Sequence, residues 1–288
     1  MIEKNTSWGP IADWYDGLVE DTSDSYQKNV LMPNLIRLIV PKAGMTILDV
    51  ACGQGYFSRA FANNGAEVIG SDVSIELIEL ANKHIIGKGR GIGSLNYHVS
   101  ESHKLSFVAD LTVDIVVIVL ALQNIDKMME TIQECSRTLK VGGKLILVLN
   151  HPAFRIPKNS SWRWASSIAA PAGENVLPTC EATKGGTLSQ RGIGDEKMYR
   201  RIDSYMSDAQ IKVDMTPGEK SADKKKFTVS FHRPLQSYFK ALTKGGLVIT
   251  RFEEWISHKK SQIGPRSTEE DRMRKEIPMF LMIESKKV

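Results

Sequence analysis

Short apolar runs rich in β-branched residues alternate along this chain with stretches of helical spacing. Between the third and fourth runs, apolar side chains recur at intervals of four, three and four residues from Met128 to Leu139, the spacing of one buried helical face. Strands that alternate with helices form a parallel sheet covered by helices on both faces. The sequence therefore predicts a doubly wound α/β fold. Its predicted strands are residues 45–51, 67–71, 113–120, 144–150, 247–252 and 278–284.

The alternation divides the chain into four segments. Residues 1–43 contain several aromatic side chains and predict an N-terminal helical cap, and residues 44–150 predict the first part of the α/β core. Residues 151–230 break the alternation with prolines, glycines and polar strand-like pieces, so they predict an inserted lid over the ligand site. Residues 231–288 restore the alternation and complete the core.

The composition excludes several classes of protein. With 42% hydrophobic and 25% charged residues, the chain has the composition of a globular protein rather than a disordered or collagen-like one. Its three cysteines are far apart and form no CxxC pair, so the sequence predicts neither a disulfide framework nor a metal site. No apolar run is long enough to cross a bilayer and the first ten residues lack a secretory signal, so we expect a cytoplasmic protein.

The net charge of +5 is compatible with two kinds of surface, a nucleic-acid interface or solvated lysine-rich loops. The excess lysines cluster at positions 220, 224–226 and 259–260, without the interleaved aromatic residues of a base-stacking surface. Solvated loops are therefore the favoured interpretation, and an RNA-binding face is the alternative.

A glycine-containing turn, LDVACGQG at residues 48–55, lies between the first predicted strand and its helix. Gly53 and Gly55 allow the backbone to approach a ligand closely, and ligands of open α/β sheets bind at the carboxyl ends of the strands. Asp72 ends the second predicted strand, where its carboxylate can accept hydrogen bonds from both hydroxyls of a ribose. The turn and this acid together predict a nucleoside-containing ligand.

Nicotinamide-binding proteins also combine such a turn with an acid about 20 residues later. The third glycine of their motif would fall at Ser58, and Asp49, just before the turn, would repel a pyrophosphate. Asp49 can instead bind the ammonium group of a methionine moiety, although it can also cap its own turn.

The run LDVACGQG resembles the first motif of class I S-adenosylmethionine-dependent methyltransferases, written D-x-G/A-C-G-x-G. The resemblance covers roughly residues 10–150 and 229–288 and is closest to the ubiquinone and menaquinone methyltransferase-like branch. It implies a seven-stranded, mostly parallel sheet whose last strand is antiparallel, with residues 44–150 holding the cofactor. It also implies methyl transfer from S-adenosylmethionine to an oxygen, nitrogen or carbon atom of a small, partly apolar molecule, with S-adenosylhomocysteine as product.

The same resemblance implies a set of cofactor-binding residues. Asp72 would bind the ribose, Val73 would contact the adenine, and Glu101, where the family usually has Asp, would meet the adenine amino group. We expect the aromatic residues Trp14 and Tyr15 to fold over the cofactor. Packing in the core is the alternative for both. The full predicted set is Tyr15, Asp49, Ala51, Gly53, Gly55, Asp72, Val73, Glu101, Ser102, Leu120 and Gln123.

Two histidines are candidate general bases for the acceptor. His151 directly follows the predicted strand at residues 144–150, and His232 precedes a helix that resembles the acceptor-side helix of the family. A structural role in a turn or in the lid is an equal alternative for both. Cys52 is set aside because methyl transfer from a sulfonium needs no covalent intermediate. An RNA or protein methyltransferase, or an inactive cofactor-binding regulator, remain alternatives for the whole chain.

Overall fold

The computed structural model describes residues 8–20, 22–85, 93–165, 197–216, 220–221 and 225–288. In these residues the helices are α1 Ala12–Glu20, α2 Met32–Ile39, α3 Tyr56–Asn63, α4 Ile75–Lys83, α5 Met128–Thr138, α6 Leu235–Lys244 and α7 Ser267–Glu276. The strands are β1 Thr46–Val50, β2 Glu67–Asp72, β3 Leu95–Val99, β4 Val113–Val119, β5 Leu139–Asn150, β6 Ser160–Ala165, β7 Lys197–Ile202, β8 Ala209–Asp214, β9 Phe227–His232, β10 Leu247–Trp255 and β11 Phe280–Lys287.

Seven of these strands form one sheet, in the order β10-β11-β5-β4-β1-β2-β3. The strands from β5 to β3 pair in parallel, and β11 is antiparallel to both of its neighbours. The structure thus confirms the seven-stranded, mostly parallel sheet with an antiparallel last strand. The strand order reverses between β1 and β4, and a ligand crevice is expected at the carboxyl ends of strands at such a point.

Helices cover both faces of the sheet. On one face, Ile132 and Cys135 of α5 and Leu242 of α6 are fully buried against β4 and β5. On the other face, Leu35 of α2 and Phe61 of α3 are fully buried in a second cluster. The helical face predicted between Met128 and Leu139 is therefore confirmed, and the two-sided burial explains why β4 is almost wholly apolar.

The start of one strand and the presence of one helix differ from the sequence-based expectation. Strand β5 begins at Leu139 rather than at the predicted residue 144, because Leu139 already pairs with Val113 of β4 and Gly142 adopts a φ of 81° within the strand. Helix α7 was not predicted. Of its side chains only that of Met273 is buried, so the sequence carries no apolar periodicity there.

The predicted insertion contains two antiparallel hairpins outside the main sheet, β6–β7 and β8–β9. Strand β9 continues to His232, two residues beyond the predicted boundary, and contacts a 3₁₀ segment, Leu122–Asn124, that follows β4. Residues 166–196, which include Cys180, lie outside the described residues.

The N-terminal segment is helical over its described part. Residues Gly9–Ile11 form a 3₁₀ turn ahead of α1, and a π-helical segment, Gln27–Leu31, leads directly into α2. Helix α1 contacts α4 next to the glycine turn. Among the helices of the described residues, none combines the length and the apolar character needed to span a membrane.

Candidate active site

The glycine turn between β1 and α3 contains three residues with positive φ, of which only two are glycines. Ala51, Gly53 and Gly55 all have positive φ, at 57°, 58° and 80°. A Cβ atom added at Gly55 would lie 2.0 Å from the hydroxyl oxygen of Tyr97. Glycine is therefore required at position 55 by both torsion and space, whereas Ala51 holds a strained conformation of the kind that clusters at ligand sites.

Asp72, at the end of β2, closes this turn. Its Oδ2 accepts a hydrogen bond from the backbone N–H of Gly53 at 2.9 Å, and its Oδ1 accepts one from that of Ser74 at 2.9 Å. Burial raises the pKa of the Asp72 carboxyl. Because each carboxylate oxygen can accept two hydrogen bonds, one acceptor position per oxygen remains for a ligand.

Asp49 lies at the end of β1 and is almost completely buried, with 2% of its surface exposed. Ser58 of α3 donates a hydrogen bond from Oγ to Oδ2 of Asp49 at 2.5 Å. Burial, and to a smaller extent the charge of Asp72, raise the pKa of the Asp49 carboxyl to about 7. A cation bound beside Asp49 would favour its ionised form, so this carboxyl is suited to an ammonium group.

Three connected clefts open around this turn. The inner cleft, with about 810 Å³ of empty space, is lined by Asp49, Asp72, Tyr15 and Leu120 among others. The lateral cleft continues past Asp72 to Glu101 and Ser102. The outer cavity, with about 1130 Å³ of empty space, extends from Tyr15 and Leu120 to the inserted hairpins.

Comparison with known proteins identifies the family. A family model described as a methyltransferase domain matches residues 48–147. The ubiquinone/menaquinone biosynthesis C-methyltransferase UbiE of Zymomonas mobilis is 30% identical over 192 residues, which cover 67% of this chain and 72% of that protein. The chain belongs to the class I S-adenosylmethionine-dependent methyltransferases.

Two further relatives agree with this assignment. A ubiquinone biosynthesis O-methyltransferase of Idiomarina loihiensis is 28% identical over 161 residues, which cover 56% of this chain and 60% of that relative. The crystal structure of an S-adenosylmethionine-dependent methyltransferase from Mesorhizobium loti has a TM-score of 0.59 at 21% identity, covering 88% of this chain and 96% of that one. The second likeness shows the shared fold.

The cofactor of the methyltransferase is S-adenosylmethionine, and the clefts fit it. Asp72 offers two free acceptor positions at the turn, where a ribose has two hydroxyls to donate. Val73, Leu77 and Ile125 contribute apolar side chains to the inner cleft, and Val73 and Ile125 also line the lateral cleft, which suits a purine ring. A Cβ added at Gly53 would lie 3.6 Å from the Tyr15 ring and would occupy space next to the turn.

The structure brings most of the predicted cofactor residues together. The two strained residues, Ala51 and Leu120, lie at the ends of β1 and β4, and Leu120 has a φ of 52°. Gly55 lies at the N-terminus of α3, behind the cleft surface. The predicted residues lining the inner cleft are Tyr15, Asp49, Ala51, Gly53, Asp72, Val73 and Leu120.

Glu101 and Ser102 line the lateral cleft, where the adenine is expected. Glu101 forms an ion pair with Lys104, and this hydrogen bond lowers the pKa of the Glu101 carboxyl. Ser102 is bonded through its hydroxyl to that of Thr131 at 2.9 Å, which leaves its backbone for a ligand role. Both positions are compatible with the predicted contacts to the adenine edge.

Three important cleft residues were not predicted from the sequence. Trp8 lines the inner cleft and contacts the Tyr15 ring edge-on, at 5.3 Å between ring centres, whereas Trp14 is not among the lining residues. Gln27 also lines it, and Asn124 lines all three clefts. These residues lie in or next to short 3₁₀ and π-helical segments. The sequence around them contains no motif that predicts a place in the cleft.

Gln123 takes a position next to the cofactor site rather than inside it. Its Nε2 donates to the backbone oxygen of Leu120 at 2.7 Å, which supports the left-handed backbone of that residue. Its Oε1 is buried and has no hydrogen-bond partner among the described residues. Gln123 lines the outer cavity and not the inner cleft.

The structure does not bring His151 or His232 to the clefts. Nδ1 of His151 accepts from the N–H of Ala153 at 3.3 Å, so Nε2 carries the proton and donates to Glu254 at 2.7 Å. Nε2 of His232 donates to the backbone oxygen of Tyr205 at 2.9 Å. Neither ring lines any of the three clefts, and these bonds assign both histidines a structural role.

Cys52 lines the inner cleft but has no nucleophilic character. Burial, together with the charges of Asp49 and Asp72, raises the pKa of the Cys52 thiol well above its usual range. A protonated thiol is a poor nucleophile. This agrees with a reaction that needs no covalent enzyme intermediate.

Proposed function

We propose that this methyltransferase transfers the methyl group of S-adenosylmethionine to an oxygen, nitrogen or carbon atom of a small, partly apolar molecule bound in the outer cavity. The observation that supports this proposal is the continuity of the two spaces. Trp8, Tyr15, Leu120 and Asn124 line both the inner cleft and the outer cavity. An acceptor in the outer cavity would therefore lie next to the cofactor with no protein wall between them.

The far wall of the outer cavity comes from residues 151–230, which we propose to act as a lid over the acceptor. Ile156 and Pro157 precede β6, and Val213 and Met215 lie at the end of β8. The hydroxyl of Ser230 in β9 donates to the backbone oxygen of Gln123 at 3.4 Å, which connects the second hairpin to the core. The apolar side chains on this wall suit a small organic acceptor with an apolar part.

Alignment and exclusion of water are the main tasks of the residues around the reacting atoms. When bound, S-adenosylmethionine supplies an activated methyl group and departs as a neutral thioether. Burial, with the charges of Asp72 and Asp49, raises the pKa of Tyr15 to about 12, so its hydroxyl stays protonated and can donate a hydrogen bond to a ligand. Holding the two reactants in line contributes about 7–11 kcal/mol to such reactions.

The relatives support the same class of acceptor. The Zymomonas and Idiomarina proteins are named as a C-methyltransferase and an O-methyltransferase of quinone biosynthesis. Among the described residues, no histidine and no carboxylate line the outer cavity. We therefore propose an acceptor that reacts without a side-chain base, such as a phenol or an enol that ionises readily.

Methyl-transfer labelling tests this proposal against an RNA methyltransferase, a protein methyltransferase and an inactive regulator. The protein is incubated with methyl-labelled S-adenosylmethionine and a cell extract divided into small-molecule, RNA and protein fractions, with Asp72→Ala as the negative control. We expect label in the small-molecule fraction only. Label in RNA or protein would contradict the proposed acceptor class, and no transfer to any fraction, with cofactor binding intact, would support the regulator.

A further inference from the structure

We infer that the methyl acceptor carries a carboxylate or phosphate group, which Arg155 and Arg200 bind in the outer cavity. This inference rests on the proposed function, because it treats the outer cavity as the acceptor site. Both arginines line that cavity and a neighbouring pocket beside Phe154 and Trp162, and neither lines the inner or lateral cleft. Their charge is therefore placed beyond the cofactor, on the side where the acceptor would enter.

Two hydrogen bonds orient the Arg200 guanidinium and leave some of its N–H donors unused. Its Nε donates to the backbone oxygen of Phe154 at 2.8 Å, and its Nη2 donates to the hydroxyl of Ser160 at 2.7 Å. The guanidinium also lies over the ring of Trp162, 5.0 Å from the ring centre. A guanidinium has five N–H donors, so three remain for a ligand.

Arg155 brings a second, uncompensated positive charge. It is exposed to the cavity and forms no ion pair within the described part of the chain. Burial, and then the charge of Arg155, lower the pKa of the Arg200 guanidinium, as expected for two cations that line the same cavity. An anion between them would remove this repulsion and regain the lost solvation of Arg200.

The other charged residue that lines the outer cavity is also positive. Lys158 also lines the outer cavity, and no Asp or Glu does so among the described residues. This differs from the surface of the chain, where Arg37, Arg59 and Arg137 each pair with a carboxylate. Guanidinium groups form bidentate hydrogen bonds with the oxygens of carboxylates and phosphates.

The test uses simple aromatic probes and calorimetry on protein saturated with S-adenosylhomocysteine. The probes are 4-hydroxybenzoate and phenyl phosphate, with 4-hydroxybenzamide as the neutral match for the carboxylate. We expect at least one anionic probe to bind about tenfold more tightly than the amide. The probe that binds more tightly distinguishes a carboxylate from a phosphate.

Two variants and one control assign the effect to these side chains. Arg155→Gln and Arg200→Gln should each weaken the anionic probe about tenfold without changing its neutral analogue. Arg201→Gln is the matched control, because Arg201 neighbours Arg200 on β7 but is exposed and pairs with Asp203. An unchanged midpoint of urea unfolding verifies that each variant is folded.

Several results would overturn the inference. Equal affinity for the amide and the anions, no binding of either anion, or an unchanged anion affinity in both arginine variants would each do so. A loss of S-adenosylhomocysteine affinity in folded arginine variants would assign the charge to the cofactor carboxylate instead. If the unsubstituted protein fails to bind S-adenosylhomocysteine at all, the proposed function itself fails, which distinguishes the two cases.

Discussion

Asp72 offers the sharpest single perturbation of the cofactor site, because it both supports the glycine turn and faces the ligand. Removing it with Asp72→Ala would leave two ribose hydroxyls without an acceptor. A hydrogen bond to a charged group contributes about 1.5–3 kcal/mol, so we expect a loss of about 3 kcal/mol, or roughly a 100-fold increase in the Kd of S-adenosylhomocysteine.

The same substitution has a separate effect on folding. The N–H groups of Gly53 and Ser74 would lose their partner, which costs about 1–3 kcal/mol for each buried group. The raised pKa of Asp72 shows that its buried charge is itself unfavourable, so part of this cost is offset. We expect Asp72→Asn, which keeps one acceptor oxygen, to lie between Asp72→Ala and the unsubstituted protein in both measurements.

Isothermal titration calorimetry gives the Kd, and urea unfolding gives the free energy of unfolding of each variant. Asp110→Ala is the control, because the Asp110 side chain is 70% exposed and lies in a surface ion pair with Arg137. Its removal should cost at most about 1 kcal/mol and leave the Kd unchanged. An unchanged Kd in folded Asp72→Ala would refute the assignment of Asp72 as the ribose acceptor.

Three further predictions follow from the same geometry. The affinity for S-adenosylhomocysteine should rise from pH 5.5 to about 7, because Asp49 ionises beside the ligand ammonium over this range. The rise should be smaller in Asp49→Asn, and an identical pH profile in this variant would contradict the role of Asp49. Gly55→Ala should lower the free energy of unfolding by about 2 kcal/mol or more, because of its positive φ and its contact with Tyr97, and an unchanged urea midpoint would contradict this. His151→Gln and His232→Gln should destabilise the fold by about 1–3 kcal/mol each while the folded variants retain methyl transfer, and selective loss of rate without loss of stability would restore the general-base hypothesis.

Asp49 also makes a testable contribution to stability through its raised pKa. An acid whose pKa is higher in the folded state favours folding at low pH and loses that contribution as pH rises toward the folded value. For Asp49 the change lies between the ordinary value of 3.8 and about 7. Without ligand, the free energy of unfolding should therefore fall over this interval less steeply in Asp49→Asn than in the unsubstituted protein.

The parts of the site that depend on local sequence were predictable. The turn needs glycine at position 55 because of its torsion, and an acid at the end of β2 can only project into the crevice at the sheet edge. Both features are fixed within a few residues of chain. The same holds for the fold, because strand and helix spacing are local properties of the sequence.

The parts that depend on distant contacts were not predictable. His151 follows β5 as expected, but its backbone N–H donates to the backbone oxygen of Met279 at 2.9 Å, so the residue continues the pairing toward β11 and away from the cleft. Arg155 and Arg200 come together from segments on either side of residues 166–196. The periodicity of the sequence does not record this approach, because it arises from the antiparallel pairing of β6 with β7.

Calorimetry with S-adenosylhomocysteine tests the central claim most directly. The intact Asp49, Asp72 and glycine turn predict micromolar binding at neutral pH, with one ligand per chain and loss of affinity in Asp72→Ala. Parallel titration with NADH provides the comparison, since Ser58 replaces the third glycine that a nicotinamide site requires. Tight binding of NADH without binding of S-adenosylhomocysteine would contradict the account.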